Sequence, residues 1–424
     1  MSQKISTDFD VVIVGGGPSG LAAAIACAQA SIRVALIAQV SPYGDNRTTA
    51  LLGQSAEWLG DIGVWPRAEI HAAKLRTMRL VDDTRRLIRA HEVKFESSEI
   101  GLDTFGYNIE NRHLVDALEA RAAELPALVR FDDRVALISM DAETDSGHMM
   151  LTTQKGERLR ARLIVGADGR KSLCRDAAGI EVKHRDYPQT ALTFNVAHAR
   201  PHDDVSTEFH TEHGPCVVVP LPGQRSSIVW VLPPQRAAQL AAMNDAELSA
   251  SIEVQTHSIL GKMQVEGARH VFPLAIEQMS RIAANRIALI GEAAHVVPPI
   301  GAQGLNLGLR DAQAICELAI AALASGDDPG SADILQKYDA QRAPDIMSRT
   351  AIIDMANRTL LTPFIPVQAM RAIGMDMIGA IGPLRRLAMR EGISAPTLPL
   401  PFALLRKGPF FGAQKMDATR DKSA

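Results

Sequence analysis

The chain has 424 residues, 46% hydrophobic and 22% charged, with a formal net charge of −3. That length suits one large or two to three ordinary domains, whose core needs neither disulfide nor metal. A near-neutral balance excludes a broad basic surface, so no nucleic-acid partner is expected.

The first residues, "MSQKISTDFDVVIVGGG", lack the charged, apolar and small regions of a leader and run straight into a strand pattern. An uninterrupted apolar run of about 18 residues is absent, so no membrane-spanning helix is expected and a cytoplasmic location is. "DVVIV", "SGLAAAIACAQA" and "RVALIA" then read as buried strand, Ala-rich helix and buried strand. Residues 71–107 alternate loosely, as half-exposed antiparallel strands do. A helix ("NRHLVDALEARAAEL"), strands near Arg130 to Met140 and Met149 to Thr153, and the buried strand of "ARLIVGADG" follow. Alternation returns from Thr190 to Leu232, with turns at His213-Gly214-Pro215 and Pro222-Gly223. A helix capped at Asn244 comes next, then the strand-to-helix stretch "RIALIGEAAHVVPPIGAQGLNLGLRDA" and a linker-like "ASGDDPGS". Beyond Asp345 the chain reads as helical, rich in Met and Pro. Four dispersed cysteines (Cys27, Cys174, Cys216, Cys316) fit neither a zinc site nor a disulfide framework, and no metal is expected.

This order predicts an α/β fold: a Rossmann-like domain interrupted by an antiparallel sheet. The expected division assigns 1–72, 106–182 and 276–350 to the nucleotide-binding domain and 73–105 and 183–275 to a substrate domain. Residues 351–424 form a helical C-terminal region.

Three turns carry the chemistry. In "GGGPSG", residues Gly15, Gly17, Pro18, Ser19 and Gly20 hold G-x-G-x-x-G spacing between a strand and a helix. Gly15 serves the turn, Gly17 lets a pyrophosphate approach, Gly20 permits close helix–strand packing, and the helix N-terminus offers unpaired N–H groups. The acidic residue that would bind ribose is missing; Gln39 stands there and could accept a hydroxyl without charge assistance. Asp168-Gly169 follows a buried strand, either as a ligand for hydroxyls or as a plain turn. In the third stretch, Gly291-Glu292 ends a strand and places a carboxylate where the polyol chain of a cofactor would run. Pro298 and Pro299 stiffen the loop. Gly301 and Gly304 bare the approach to a helix N-terminus, whose roughly +0.5 partial charge suits a planar ring that becomes anionic on reduction. In the plain alternative this is an ordinary connection with His295 a satisfied polar residue.

Together these stretches resemble the flavoprotein aromatic hydroxylases, which carry FAD in a split Rossmann-like domain. "GADGRKSLCR" resembles their D-G motif, with Cys174 where a small aliphatic is usual. "GEAAHVVPPIGAQGLNLGLRDA" resembles their G-D motif, with Glu292 where Asp is usual, and "QKYDAQRAPD" resembles the segment that follows. "NRTTALLGQSAEWLGDIGVW" and "EHGPCVVVPLPGQRSSIVW" are similar to the ubiquinone-biosynthesis branch. The resemblance implies FAD with its diphosphate at Gly15 to Gly20 and Arg47 and Arg112 near the flavin and diphosphate. It places Asp168 beside the cofactor and Glu292 at the diphosphate and ribityl region. Gly301, Gln303, Gly304, Leu305 and Asn306 would cradle the pyrimidine edge. The flavin-face loop of Pro298, Pro299 and Gly301 would meet the reactive side of the ring, without an assigned acid or base.

The implied reaction is hydroxylation of a polyprenylated phenol on the route to ubiquinone through a C4a-hydroperoxyflavin, with NAD(P)H as electron donor and O₂ as co-substrate. Val219, Leu221 and Trp230 are expected to roof the substrate pocket, although a plain sheet core needs the same residues. The Met-, Ile- and Arg-rich tail "PFIPVQAMRAIGMDMIGAIGPLRRLAMREG" suits either the inner face of the cytoplasmic membrane or a protein surface, other ubiquinone-biosynthesis proteins included. Competing readings are a hydroxylase of a soluble aromatic compound and a non-catalytic prenyl-binding protein on the same fold.

Overall fold

A computed structural model describes residues 8–40, 46–140, 147–362 and 364–393. Among these, two eight-stranded sheets and a three-stranded one are flanked by helices.

The first sheet grows from the central strand Asp8–Val14, six of whose seven residues are buried, as a strand covered on both faces requires. Arg158–Gly166 and Val34–Ile37 flank it in parallel. Leu128–Phe131 and Ile287–Leu289 extend the parallel set outward. A hairpin of Val135–Met140 and Met149–Thr153 adds antiparallel strands to Arg158–Gly166. Helix Pro18–Gln29 packs beside Gln303–Ala324, and their Ala-rich faces share one core with the sheet.

The second sheet is built on two 17-residue strands, Val182–His198 and Met263–Met279, paired antiparallel along most of their length. Arg225–Leu232, Gly214–Leu221 and Val205–Thr211 continue it. One edge departs from the expected antiparallel arrangement: Thr77–Asp82 is antiparallel to Val93–Glu96 but runs parallel to Val205–Thr211. A parallel pair needs a long connection, and here the chain passes through the first domain between the two strands. The side of the second sheet away from the cavity is covered by helices Pro234–Ala241 and Asp245–Gln255, with Leu240, Leu248 and Ile252 in a separate core. Asn244 caps the latter helix as expected, accepting from Glu247 N at 2.9 Å.

The linker-like break separates Gln303–Ala324 from the 30-residue helix Ala332–Leu361, which passes through Pro344 without ending. Helices Ile365–Ala380 and Gly382–Ile393 follow. The rest of the expected helical region, from 394, lies outside the described residues. No described helix is long and apolar enough to cross a membrane.

Candidate functional site

Four parallel strands finish level with one another: Val14 pairs with Gly166 and Ile37, and Gly166 with Leu289. The turns that follow them, at Gly15, Gln39, Asp168 and Gly291, therefore open along one edge. It is the C-terminal edge, where open α/β sheets bind ligands. Gly15 adopts φ 113°, and any side chain there would strike the Ala167 carbonyl. A Cβ on Gly308 would lie 2.5 Å from Ser19 Oγ and 2.9 Å from Gly291 Cα. The first helix, the Gly291 turn and the later helix thus meet without an intervening side chain.

Two helix N-termini face this edge uncapped. Gly17 precedes Pro18–Gln29, and Ala302 precedes Gln303–Ala324; neither helix has a side-chain cap or an acidic residue in its first turn. Ala302 is held at φ 55°, a strained conformation for a residue with a Cβ. Such termini leave N–H groups directed at whatever occupies the edge. The Cβ position of Gly17 meets no atom within 4 Å, so the protein leaves open space beside the first terminus. A bare phosphate turn and two unneutralised N-termini beside a cavity fit a long anionic dinucleotide with a planar ring, as FAD is.

The cavity, about 340 Å³, lies between the second sheet and the loop after His295. Pro298, Pro299, Gly301, Gln303, Gly304 and Leu305 line the loop side, with Arg47 and Glu292. On the sheet side the lining follows the pairing register. Asn195, Ser227, Val219 and Ser206 line it from neighbouring strands, and so do His270, Thr193, Val229, Val217 and Glu208 in a second row. Directly paired residues share a face, which explains why these two rows point inward together. Of the expected roof, Val219 lines the cavity. Leu221 is fully buried outside it, and Trp230 faces the opposite core against the helices. Trp230 follows Val229 by one residue, and a one-residue step reverses the face.

Other expected residues are committed to local structure. Gln39 Oε1 accepts from Arg134 Nε at 2.8 Å, which leaves its second lone pair for a hydroxyl. Asp168 accepts from Ser172 Oγ at 2.6 Å and Cys174 N at 3.1 Å, so it fastens its own turn beside the edge. Arg112 donates to Glu110 at 2.7 Å. Burial alone would raise the Glu110 carboxyl, but Arg112 and Arg225 hold it below the usual carboxylate range. Glu292 is exposed and reaches Arg170 at 3.4 Å. Asn306, fully buried, ties its helix to the strand Thr48–Leu52: Leu52 N donates to its Oδ1 at 2.9 Å, and its Nδ2 donates to Ala50 O at 2.8 Å.

Sequence reasoning missed a buried charge network behind the loop. His295 Nε2 donates to Asp311 at 2.6 Å, and Arg342 Nε donates to the other oxygen at 2.8 Å. Asp345 accepts from Arg310, Arg342 and Arg349, and Arg349 also reaches Gln303 Oε1 at 2.9 Å. Burial pushes the Asp311 carboxyl up, yet His295 and Arg342 outweigh it and hold the group below its ordinary value. The charges stand in "RDA" and "QKYDAQRAPD", but their pairing across the two helices is not visible in either stretch alone.

The sequence pattern of the FAD binding domain family matches residues 8–351. The chain is 33% identical over 408 residues to the ubiquinone hydroxylase UbiL of Rhodospirillum rubrum, covering 94% of this chain and 93% of that protein. It is 31% identical over 391 residues to the 3-demethoxyubiquinol 3-hydroxylase of Escherichia coli, covering 91% and 98%. Its fold resembles that of the p-nitrophenol 4-monooxygenase PnpA from Pseudomonas putida, with a TM-score of 0.74 at 20% identity, covering 93% of this chain and 100% of the other.

Proposed function

We infer the activity from one premise: the chain belongs to the FAD binding domain family, in its ubiquinone hydroxylase branch. It is a FAD-dependent aromatic-ring monooxygenase, with NAD(P)H as electron donor and O₂ as co-substrate. The substrate we propose is a polyprenylated phenol on the route to ubiquinone. The observation that carries this reading is the meeting of Ser19, Gly291 and Gly308 at one strand edge, beside a cavity walled by proline, leucine and valine.

Bound FAD supplies the reducible ring at which O₂ is activated; the chain's own residues position, polarise and shield. Gly15 to Gly20 and the helix N-terminus behind them would hold the diphosphate. Glu292 would meet the diphosphate and ribityl region, and Asp168 would lie beside the cofactor. The N-terminus at Gln303 would face the pyrimidine edge, favouring negative charge there. Pro298 would cover the reactive side with a surface that offers water no hydrogen-bond donor. Excluding water protects a reactive oxygen donor, which accounts for the apolar side of the cavity. In the division we propose, residues 1–72, 106–182 and 276–350 hold the cofactor, and 73–105 with 183–275 receive the substrate.

The lipid character of such a substrate agrees with the surface of the C-terminal helices. Met370, Ile373 and Met377 recur on one face of Ile365–Ala380 and are exposed, as are Phe364 and Ile365 beside them. Arg386 and Arg390 follow on the next helix. We propose that this face rests on the inner surface of the cytoplasmic membrane. The function is tested by deleting the gene and extracting quinones. Accumulation of a prenylated precursor one ring oxygen short of ubiquinone is expected; unchanged ubiquinone with no precursor refutes the assignment. Turnover of a tail-less phenol at ordinary affinity would favour a soluble aromatic substrate.

A further inference from the structure

His270 is the one histidine among the described residues that lines the cavity, and its hydrogen bonds fix its proton. Asn46 Nδ2 donates to the Glu266 carbonyl at 3.3 Å, which orients the amide oxygen toward His270 Nε2 at 3.0 Å. Gly267, at φ 70°, leaves room for that amide: a Cβ there would lie 2.8 Å from Asn46 Nδ2. Asn195 adds a further hold, donating to the Asn46 backbone carbonyl at 3.0 Å. With Nε2 donating, the neutral ring carries its lone pair on Nδ1. No hydrogen bond to Nδ1 is formed by the described residues, and the ring stacks on Phe272, another cavity residue, at 12°.

The nearest cation would stabilise an anion in the cavity rather than the imidazolium. Arg47 lies over Phe272 at 5.1 Å, and Glu266 is bound to Arg225 at 2.7 Å. An anion formed in the cavity would therefore find a guanidinium beside the ring that took its proton. Asn46 lies just before the strand Thr48–Leu52, whose Ala50 is the residue held by Asn306. His270 and the helix N-terminus at Gln303 line the same cavity.

We propose that His270 accepts the proton of the substrate's phenolic hydroxyl. The phenol O–H bond breaks as the Nδ1–H bond forms, leaving an imidazolium and a phenolate whose ring is the stronger nucleophile. The assignment rests on the aromatic-hydroxylase reading. Glu208 is the rival acceptor, but its Oε1 is taken by His210 at 2.9 Å, and it lies four strand spacings away, roughly 19 Å, at the far end of the same row.

The test uses the full FAD-loaded chain and 4-nitrophenol, whose phenol and phenolate absorb at different wavelengths. The wild-type protein should bind the probe with its ionisation constant increased about tenfold over the free probe. His270→Gln should bind it with the free value, and Asn46→Asp, which makes the imidazole more basic, should increase the constant further. An equal increase in wild type and His270→Gln, loss of the increase in Glu208→Gln instead, or no response to Asn46→Asp overturns the proposal. Failure of 4-nitrophenol and of a prenylated phenol to perturb the flavin spectrum of the wild type overturns the phenol-hydroxylase reading, and the proposal with it.

Discussion

Asp311 offers the sharpest test of what holds the loop in place. It is fully buried and accepts from His295 Nε2 at 2.6 Å, Arg342 Nε at 2.8 Å and Gly291 N at 3.2 Å. Asp311→Ala removes the acceptor for all three. Arg342 would then share Asp345 with Arg310 and Arg349, three guanidiniums on one carboxylate. Breaking a buried pair from one side costs about 3–5 kcal/mol, because the remaining charge stays desolvated. At roughly 2.1 cal/mol/K per residue, unfolding of 424 residues carries about 0.9 kcal/mol/K, so the melting temperature should drop by about 3–6 °C. Because Gly291 loses an anchor, flavin should be released before the protein unfolds. Thermal melts followed by tryptophan fluorescence and by flavin emission measure both. Asp311→Ala/Arg342→Met, which removes the guanidinium left with only the shared Asp345, should recover at least half of the lost stability. Melting of Asp311→Ala within about 1 °C of wild type, or a double variant less stable than the single one, would refute the network's role.

Gly17→Ala separates fold from cofactor: Gly17 has an ordinary φ of −70° and open space at its Cβ, so the melting temperature of the apoprotein should not move. Flavin affinity, measured by fluorescence quenching, should fall at least tenfold; unchanged affinity would place the diphosphate elsewhere. Acid should destabilise the protein through Asp82, Glu110, Asp311 and Asp345, all held below the ordinary carboxylate range. Depressed folded values stabilise above the unfolded value of about 4 and lose that stabilisation as pH falls below it, so urea midpoints should drop below about pH 4. A midpoint flat from pH 5 to pH 3 contradicts this. Met370→Glu/Ile373→Glu/Met377→Glu changes only exposed positions and should abolish sedimentation with anionic liposomes while keeping flavin content. Undiminished sedimentation would remove the membrane assignment.

The cofactor side was legible because its requirements are local and repeat short-range rules. A buried strand, a G-x-G-x-x-G turn and an Ala-rich helix can be recognised without knowing what they touch. Gly308 could not be singled out that way, since its need for a missing side chain comes from Ser19 and Gly291, both distant in sequence. The substrate side was less legible. Alternation indicated a sheet, but the choice between Val229 and Trp230 depends on which face the first domain covers. His270 and Asn46 meet across 224 positions, so no periodicity joins them. The helix continues through Pro344, with Ile346 and Tyr338 packed in the first core on either side of it.

The C-terminal helices complete the connection between surface and site. Arg371 is paired with Asp82 on the strand Thr77–Asp82, and Arg385 with Glu99 at 2.6 Å, in the turn just after the edge strand Val93–Glu96. At the far end, the Gly392 carbonyl accepts from Arg349 at 3.2 Å and from Gln303 at 3.4 Å. Gln303 is itself a cavity residue, and Arg349 belongs to the buried network that reaches Asp311 and His295. Polar contacts therefore hold the C-terminal helices at two places, Asp82 and Glu99 on one side and the cavity residue Gln303 on the other. A force that lifts these helices must break charge-assisted bonds to Asp82 and Glu99, or else draw on Gln303. Gln303 is thus joined to the helix that follows the proposed membrane face, and a displacement of that helix would reach the cavity through the Gly392 contact.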